Sequence, residues 1–363
     1  MTSQAILFLA ATVLFSVTAW QARRSTQSAE HHRAFLLLWG TILMAFVGYA
    51  LLSYLTVIGL LETDPPTAQQ LGLDQGAKTR GLFTVGLAIL VAFGLWLFVR
   101  DSRLRERLRG VFPRPRPWPA GDHDTPPWPE QVRGFDPHSP LHAFALGAAV
   151  LFFFQTVIDF ILAGGQTGLT GDLVERDLIV SSALTAVMLL AVSLVGVGAG
   201  QDRNWREALG RLGMRWPTGG EVTVSIGIAV ALVGFQFGAS LVWMVLTPQG
   251  LFEQQTELSE AIAGSVTSFS AAFLVALFSS LGEETAFRGA LQPVLGLWQT
   301  AILFAFTHVQ YQFTPALVII LVVGLALGWV RKHFGTVPAV LAHFLYNFTL
   351  LSLAVLANRV LNS

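Results

Sequence analysis

Long runs of apolar residues, separated by shorter polar segments, dominate the chain. Apolar stretches of 18 or more residues with almost no charge are typical of helices that cross a bilayer. Ten spans are predicted, at residues 4–20, 34–61, 81–99, 141–164, 178–200, 222–246, 265–295, 298–313, 315–331 and 337–357. The eighth is short, so eight or nine spans are alternatives. The pattern predicts an all-α fold, a polytopic transmembrane helix bundle.

The longest polar interruption, residues 100–140, divides the chain in two. It begins rich in Arg and continues as FPRPRPWPAGDHDTPPWPEQ. Proline fixes φ and removes a backbone donor, so an extended linker is expected here and not a folded domain. We therefore divide the chain into a three-span N-terminal region (1–99), an Arg/Pro-rich cytoplasmic linker (100–140) and a membrane-embedded core (141–363). A second interruption, residues 201–217, predicts a short amphipathic helix in the membrane interface.

Charge in the loops predicts the orientation of the spans. Lys and Arg are retained on the cytoplasmic side. They concentrate in the loops after the first, third, fifth and ninth spans, whereas residues 247–262 contain Glu253, Glu257 and Glu260 and no basic residue. The Arg-rich loops are therefore expected in the cytoplasm. The first apolar segment is expected to be retained as a span, because residues 1–4 carry no basic charge and no clear cleavage site precedes Arg23.

Composition narrows the classes of partner and chemistry. Charged residues make up 12% of the chain, about half the share in a typical soluble domain. The net charge is zero, which argues against a nucleic-acid partner. Cysteine is absent, so disulfides and cysteine-ligated zinc are excluded. The expected partners are the lipid bilayer and a peptide or protein substrate, while the oligomeric state stays open.

Ionisable residues inside spans are costly and usually functional. Asp159 lies in the fourth span one turn after Gln155, and we expect it to make a helix-packing hydrogen bond or to line a local water pocket. The other chemically competent groups fall in the last four spans; they are Glu283, Glu284, Arg288, His308, His343 and Asn347.

Helical geometry separates the two adjacent glutamates. Glu284 and Arg288 are four residues apart and can form an ion pair on one face of a helix. Glu283 points about 100° away and keeps a free carboxylate. His343 and Asn347, also four residues apart, project from one face of the last span.

Three short motifs follow one another on successive apolar segments. They are EETAFR (283–288), FAFTH (304–308) and HFLYN (343–347), which fit E-E-x-x-x-R, F-x-x-x-H and H-x-x-x-N. In this order they resemble the CAAX protease and bacteriocin-processing family of intramembrane proteases, which includes the type II CAAX prenyl endopeptidases. The resemblance covers about residues 205–350.

The resemblance implies a role for each motif residue. Glu283 matches the catalytic glutamate that activates water, with His308 beside it. His343 and Asn347 match the pair that stabilises the oxyanion or helps to bind a metal, and Glu284 and Arg288 complete the first motif. These groups suit amide hydrolysis, because a base must take a proton from water and a donor must meet the developing oxyanion.

Metal dependence stays open at this point. Glu283, His308 and His343 are three ligands that could hold a zinc ion, with water as the fourth. A glutamate that binds the metal cannot easily also be the only general base, so a metal-free mechanism is equally consistent.

The sequence thus predicts an intramembrane endopeptidase of a multi-pass cell membrane protein, of bacterial type. Its active site would open to the cytoplasmic side and cut membrane-associated or C-terminal peptides. The alternative is a non-catalytic membrane scaffold, immunity factor or transporter that keeps these residues for structure. A transporter would more often show inverted repeats and broken helices in both halves, and neither is visible.

Overall fold

The computed structural model describes residues 3–70, 73–74, 76–114, 116–117, 132–162, 174–308 and 314–361. Its α-helices are α1 (Ser3–Arg24), α2 (Ala29–Thr63), α3 (Pro65–Gln70), α4 (Gly76–Arg100), α5 (Ser102–Leu108), α6 (Pro140–Leu162), α7 (Glu175–Gly196), α8 (Trp205–Arg211), α9 (Gly219–Leu246), α10 (Gln249–Ser265), α11 (Phe269–Glu283), α12 (Gln292–Leu295), α13 (Leu297–Phe306), α14 (Pro315–Phe334) and α15 (Thr336–Leu361). A 3₁₀ turn covers Arg109–Val111, and a π-helical segment, Glu284–Leu291, joins α11 to α12.

In the described part of the chain, eight helices are long and apolar enough to cross a membrane. They are α1, α2, α4, α6, α7, α9, α14 and α15. The described β-structure is a pair of two-residue antiparallel strands, β1 (Arg116–Pro117) and β2 (Val132–Arg133). The protein is therefore a multi-pass membrane protein, and the predicted all-α helix bundle is confirmed.

The seventh and eighth predicted spans differ from regular transmembrane helices. Residues 269–295 are helical throughout, but the π segment interrupts the α-helical hydrogen bonding. The α13 helix has ten residues, about 15 Å of rise, which is roughly half the hydrocarbon core of a bilayer. The prediction of a transmembrane helix over residues 298–313 was wrong, since the helix ends at Phe306; residues 309–313 lie outside the described chain.

Side-chain hydrogen bonds explain why α13 stops. The hydroxyl of Thr307 donates to the Phe304 carbonyl at 2.8 Å, and Nδ1 of His308 bonds to the same oxygen at 2.8 Å. A continuing α-helix would use that oxygen for the backbone N–H of His308, which instead donates to Ala305. Polar side chains thus compete with the helix for its acceptor.

The predicted amphipathic segment contains the short helix α8. A capping box opens this helix, in which the Asn204 side chain accepts from the Glu207 N–H and the Glu207 carboxylate accepts from the Asn204 N–H. Leu212, just after the helix, is fully buried, whereas Trp205 stays exposed. Such a helix suits a position between the bundle and the membrane surface.

The N-terminal spans pack directly on the C-terminal helices. One continuous hydrophobic core contains Phe35 and Trp39 of α2, Phe144 of α6, Phe287 of the π segment and Phe304 of α13. The ring of Trp39 meets that of Phe144 edge-on, with centroids 5.6 Å apart. The front spans therefore pack against the segments that carry the first two motifs.

The two described ends of the linker are also docked. Phe112 and Phe135 pack ring against ring at 4.7 Å, and the Gly134 N–H donates to the Pro293 carbonyl at 2.9 Å. The side-chain amide of Gln299 donates to the Val111 carbonyl at 2.5 Å. These contacts place the linker ends against the end of the helical segment that carries the first motif.

The loops that we predict to be cytoplasmic meet at one end of the bundle. Arg23, at the end of α1, pairs with Asp202 at 2.5 Å, and the Thr336 N–H donates to the Gly213 carbonyl at 3.0 Å. Burial alone would raise the pKa of Asp202, but the hydrogen bond and charge of Arg23 outweigh it and lower that pKa. At the opposite end, Glu175 accepts from the Thr267 N–H at 2.6 Å. This grouping agrees with the alternation of the loops.

Candidate active site

The first motif starts at Glu283, the last residue of α11, and continues along the π segment, which the sequence did not predict. Within it the Gln292 N–H donates to the Phe287 carbonyl, five residues earlier, and not to the residue four before it. Single π turns inside helices occur frequently at functional sites. The wider turn changes the direction of the side chains that follow, so the regular 100° spacing does not describe this segment.

Glu284 is the centre of a buried polar network. Its side chain is fully buried, and its two carboxylate oxygens have different partners. Oε2 lies 3.2 Å from Nε of Arg288, and Oε1 lies 3.0 Å from Nδ1 of His343. The expected Glu284–Arg288 ion pair is therefore present. Arg288 also donates to the Gly324 carbonyl of α14 at 3.3 Å, so the network ties the π segment to two other helices.

His343 thus has a partner that sequence reasoning missed. An ionised carboxylate only accepts hydrogen bonds, so Nδ1 of His343 is the donor towards Glu284. The proton on Nδ1 leaves Nε2 of that ring as the nitrogen that can exchange a proton. Pairing between segments that are 59 positions apart in the chain has no periodic signal, and this is why spacing alone did not show it.

Glu283 and His308 form a second, more accessible pair. Oε2 of Glu283 lies 4.0 Å from Nε2 of His308, and each side chain keeps 21% of its surface exposed. Nδ1 of His308 bonds to the Phe304 carbonyl, which can only accept, so Nδ1 carries the hydrogen. Nε2 therefore faces Glu283 with its lone pair when the ring is neutral.

A distance of 4.0 Å is too long for a direct hydrogen bond. Two acceptors at this spacing suit a bridging water, which can donate one hydrogen to each. The spacing is therefore compatible with one water molecule between the two acceptors.

Asn347 and Phe304 complete the site. The Asn347 amide donates to the hydroxyl of Ser279 at 3.3 Å, one turn before Glu283 on α11. Ser279 is thus a contributor that the motifs did not indicate. Phe304 packs against both imidazoles, with ring centroids 4.7 Å from His308 and 6.2 Å from His343. The guanidinium of Arg288 lies 4.3 Å above the Phe304 ring, so this ring separates the buried network from the exposed pair.

The geometry does not fit the predicted metal site. In the described part of the chain no group of three or more His, Asp or Glu side chains lies close enough to hold a metal ion. Of the proposed ligands Glu283, His308 and His343, the third is held by Glu284. Two donors without a third do not make the usual catalytic zinc site. The chemistry below is therefore derived from the side chains alone.

A large cavity opens beside the exposed pair. Its volume is about 1150 Å³, and its lining includes Glu283, His308 and the neighbouring Thr307. Much of the remaining wall comes from α1, α2, α6 and α7, among them Tyr49 and Asp159. Asp159 has the expected helix-packing bond, since the Tyr49 hydroxyl donates to it at 2.5 Å. The contribution of α1 and α2 to this cavity was not predicted.

Comparison with known families places the motifs in one domain. Residues 265–349 match the model of the type II CAAX prenyl endopeptidase Rce1-like family. This segment belongs to the CAAX protease and bacteriocin-processing family. It contains all six motif residues, from Glu283 to Asn347. No curated protein and no solved structure matches the chain. The match supports a peptidase activity for this membrane-embedded segment.

Proposed function

We propose that this CAAX-protease-family protein is an intramembrane endopeptidase in which Glu283 and His308 activate water. The observation that supports it most directly is their 4.0 Å separation at the wall of a large cavity. A purely structural pair would be expected to lie in direct contact and out of reach of water, as Glu284 and Arg288 do. The accessible pair therefore favours catalysis over the scaffold, immunity-factor or transporter alternatives.

The first chemical step is attack by water. Glu283 takes a proton from the bound water, and the resulting hydroxide attacks the carbonyl carbon of the scissile peptide bond. The new C–O bond shifts an electron pair onto the carbonyl oxygen and gives a tetrahedral oxyanion. His308, held by its Nδ1–H bond to the Phe304 carbonyl, orients the water through Nε2.

We assign the oxyanion-binding role to Asn347 and His343, which match the family's pair but do not line the cavity. The Asn347 amide has two hydrogens and donates one of them to Ser279, so the second is available for the substrate oxygen. His343, whose Nδ1 is held by the Glu284 carboxylate, can donate from Nε2 when the ring is protonated. Preorganised donors of this kind typically contribute about 10²–10³-fold in kcat each.

The second step releases the amine. The oxyanion collapses, the C–N bond breaks, and the leaving nitrogen takes the proton that Glu283 received from the water. One proton leaves the water in the first step and one reaches the amine in the second, so the cycle returns Glu283 to its ionised form. The buried Glu284–Arg288 pair keeps its charges throughout and positions His343.

We further propose that the substrates are membrane-associated or C-terminal peptides that reach the site from the cytoplasmic side. The Arg-rich loops gather at the end of the bundle where the π segment and α12 finish, which supports this side. We also propose a bacterial cell membrane as the location of the protein.

Cleavage of a peptide library by the purified protein tests the proposal. We expect mass spectrometry to show defined cut sites that disappear in Glu283→Gln. Parallel digests with and without a chelator measure metal dependence, and the donor spacing predicts no loss of activity with chelator. Absence of cleavage by the wild type, or equal cleavage by Glu283→Gln, would contradict the assignment.

A further inference from the structure

The cavity beside Glu283 extends far beyond the catalytic pair. Its lining residues on α6 run from Leu141 to Asp159, a rise of about 27 Å, which is close to the thickness of the hydrocarbon core. An elongated occupant that lies along the membrane normal therefore fits, with Glu283 and His308 in the wall beside it. Most of the wall is apolar, as in Leu14, Phe15, Phe46 and Phe152.

Both ends of the cavity are polar. The end near Ser139 is lined by Arg23, Arg203 and Arg211, with Asp136 beside them; we term this the Arg end. The other end is lined by Tyr49 and Asp159; we term this the Asp159 end. Both ends lie mainly on α1, α2, α6 and the segments next to them, outside the residues that match the family model.

The Asp159 end has an acceptor that Tyr49 alone does not saturate. The Tyr49 hydroxyl donates to Oδ1 of Asp159 at 2.5 Å. An ionised carboxylate has two oxygens and about four lone-pair positions, so further donors can bind there. If a pure hydrocarbon chain filled this end, the carboxylate would lose its water and gain no hydrogen bond in return, which is unfavourable. An occupant that brings its own donor avoids this cost.

We propose that the Asp159 end binds an apolar, membrane-embedded peptide segment of the substrate, and that Asp159, oriented by Tyr49, accepts a hydrogen bond from a Ser, Thr or Lys side chain of that segment. The inference rests on the proposed peptidase function, because the same chain must present its scissile bond to Glu283. The proposal adds Tyr49 of α2 and Asp159 of α6 as a pair that determines substrate specificity. A lipid chain without a hydrogen-bond donor should bind more weakly, because it leaves the remaining lone pairs of the Asp159 carboxylate unpaired.

Direct binding measurements test this without relying on cleavage. The full-length Glu283→Gln variant in nanodiscs is titrated with fluorescent peptides that share a leucine-rich segment in which one Thr or one Lys is moved position by position. An all-Leu peptide and a short farnesylated peptide serve as references. We expect at least one position at which the Thr or Lys peptide binds about tenfold or more tightly than the all-Leu peptide, as expected for a hydrogen bond to a charged group.

Substitutions identify the acceptor. Asp159→Leu in the same background should remove the preference and increase binding of the all-Leu and farnesylated peptides. Asp159→Asn keeps the shape and an acceptor oxygen but loses the charge, so the Lys preference should disappear while part of the Thr preference remains. Tyr49→Phe should weaken the preference, because the carboxylate loses its orientation. Thr41→Val is the matched control on α2, since its hydroxyl bonds to the Leu37 carbonyl of its own helix and Thr41 does not line the cavity.

Several results would overturn the inference. These are binding that does not depend on the position of Thr or Lys, a preference that persists in both Asp159 variants, or tighter binding of the farnesylated peptide by the parent than by Asp159→Leu. Failure of the wild type to cut any peptide would instead count against the proposed function, while the binding preference would still decide the role of Asp159.

Discussion

Glu283 and Glu284 are neighbours in the chain, but their surroundings differ. Glu283 keeps 21% of its side chain exposed and faces His308 across 4.0 Å, whereas Glu284 is fully buried between Arg288 and His343. We therefore propose that the same side-chain chemistry serves reaction at Glu283 and structure at Glu284. This difference gives two separable predictions.

The first prediction concerns the base. Glu283→Gln removes the group that takes the proton from water but keeps its size, so kcat should fall by about 10²–10⁴-fold. The melting temperature in detergent should stay close to that of the wild type, because no buried ion pair is broken. Cleavage assays and thermal unfolding of the same preparation measure both. Comparable cleavage by the variant would exclude Glu283 as the base.

The second prediction concerns the buried network. Glu284→Gln leaves the Arg288 guanidinium without its counter-ion and His343 without its carboxylate. Removal of one partner of a buried pair costs about 3–5 kcal/mol. Glu284→Gln should therefore unfold at a clearly lower temperature than Glu283→Gln. Equal melting temperatures for the two isosteric variants would show that the pair does not stabilise the fold.

At the scale of helices, close packing holds the catalytic segment in place. A Cβ atom at Gly282 would lie 2.7 Å from the Cα of Ala186, which shows that α11 and α7 approach each other through this glycine. Glu283 is the next residue, so the position of the candidate base depends directly on this contact.

A third prediction follows from that approach. Gly282→Ala should push α11 away from α7, lower the unfolding free energy by about 1–3 kcal/mol and reduce kcat, because it overpacks a helix contact beside the site. Gly234→Ala in α9 is the matched control, since no atom lies within 4 Å of its added Cβ. Its stability should be unchanged or slightly raised. Equal effects of the two substitutions would mean that the α11–α7 contact can relax.

Sequence reasoning succeeded where the pattern is local and failed where it is not. The apolar runs gave the helix bundle, and the four-residue spacing gave the Glu284–Arg288 pair. The π segment was missed because no residue preference distinguishes it from an α-helix. The end of α13 was missed because it depends on Thr307 and His308 taking the Phe304 carbonyl. The His343–Glu284 bond is a contact between distant segments, which spacing cannot show.

At the scale of the whole molecule, the N-terminal spans and the family domain form one structure. The hydrophobic core is continuous from Phe35 of α2 to Phe304 of α13, and the cavity beside Glu283 has walls from both parts. A truncated chain that begins after the linker would lack α1 and α2 and would expose this core. The family match alone, over residues 265–349, therefore describes the chemistry but not the complete binding cavity.

The last prediction concerns the side from which this cavity is reached. The loops rich in Arg and Lys gather at the end of the bundle where the π segment and α12 finish, and basic loops are retained in the cytoplasm. Single cysteines give a direct test, since the chain contains none. Thr307→Cys probes the cavity, and Gly110→Cys and Gly250→Cys mark the two ends, because an added Cβ at either glycine meets no atom within 4 Å.

In vesicles of known orientation, a membrane-impermeant thiol reagent added from the cytoplasmic side should label Thr307→Cys and Gly110→Cys and leave Gly250→Cys unmodified. Addition from the opposite side should label only Gly250→Cys. Water must reach Glu283 for hydrolysis. The labelling rate of Thr307→Cys should therefore be similar to that of Gly110→Cys. Labelling of Thr307→Cys together with Gly250→Cys would reverse the topology and move the substrates to the other side of the membrane.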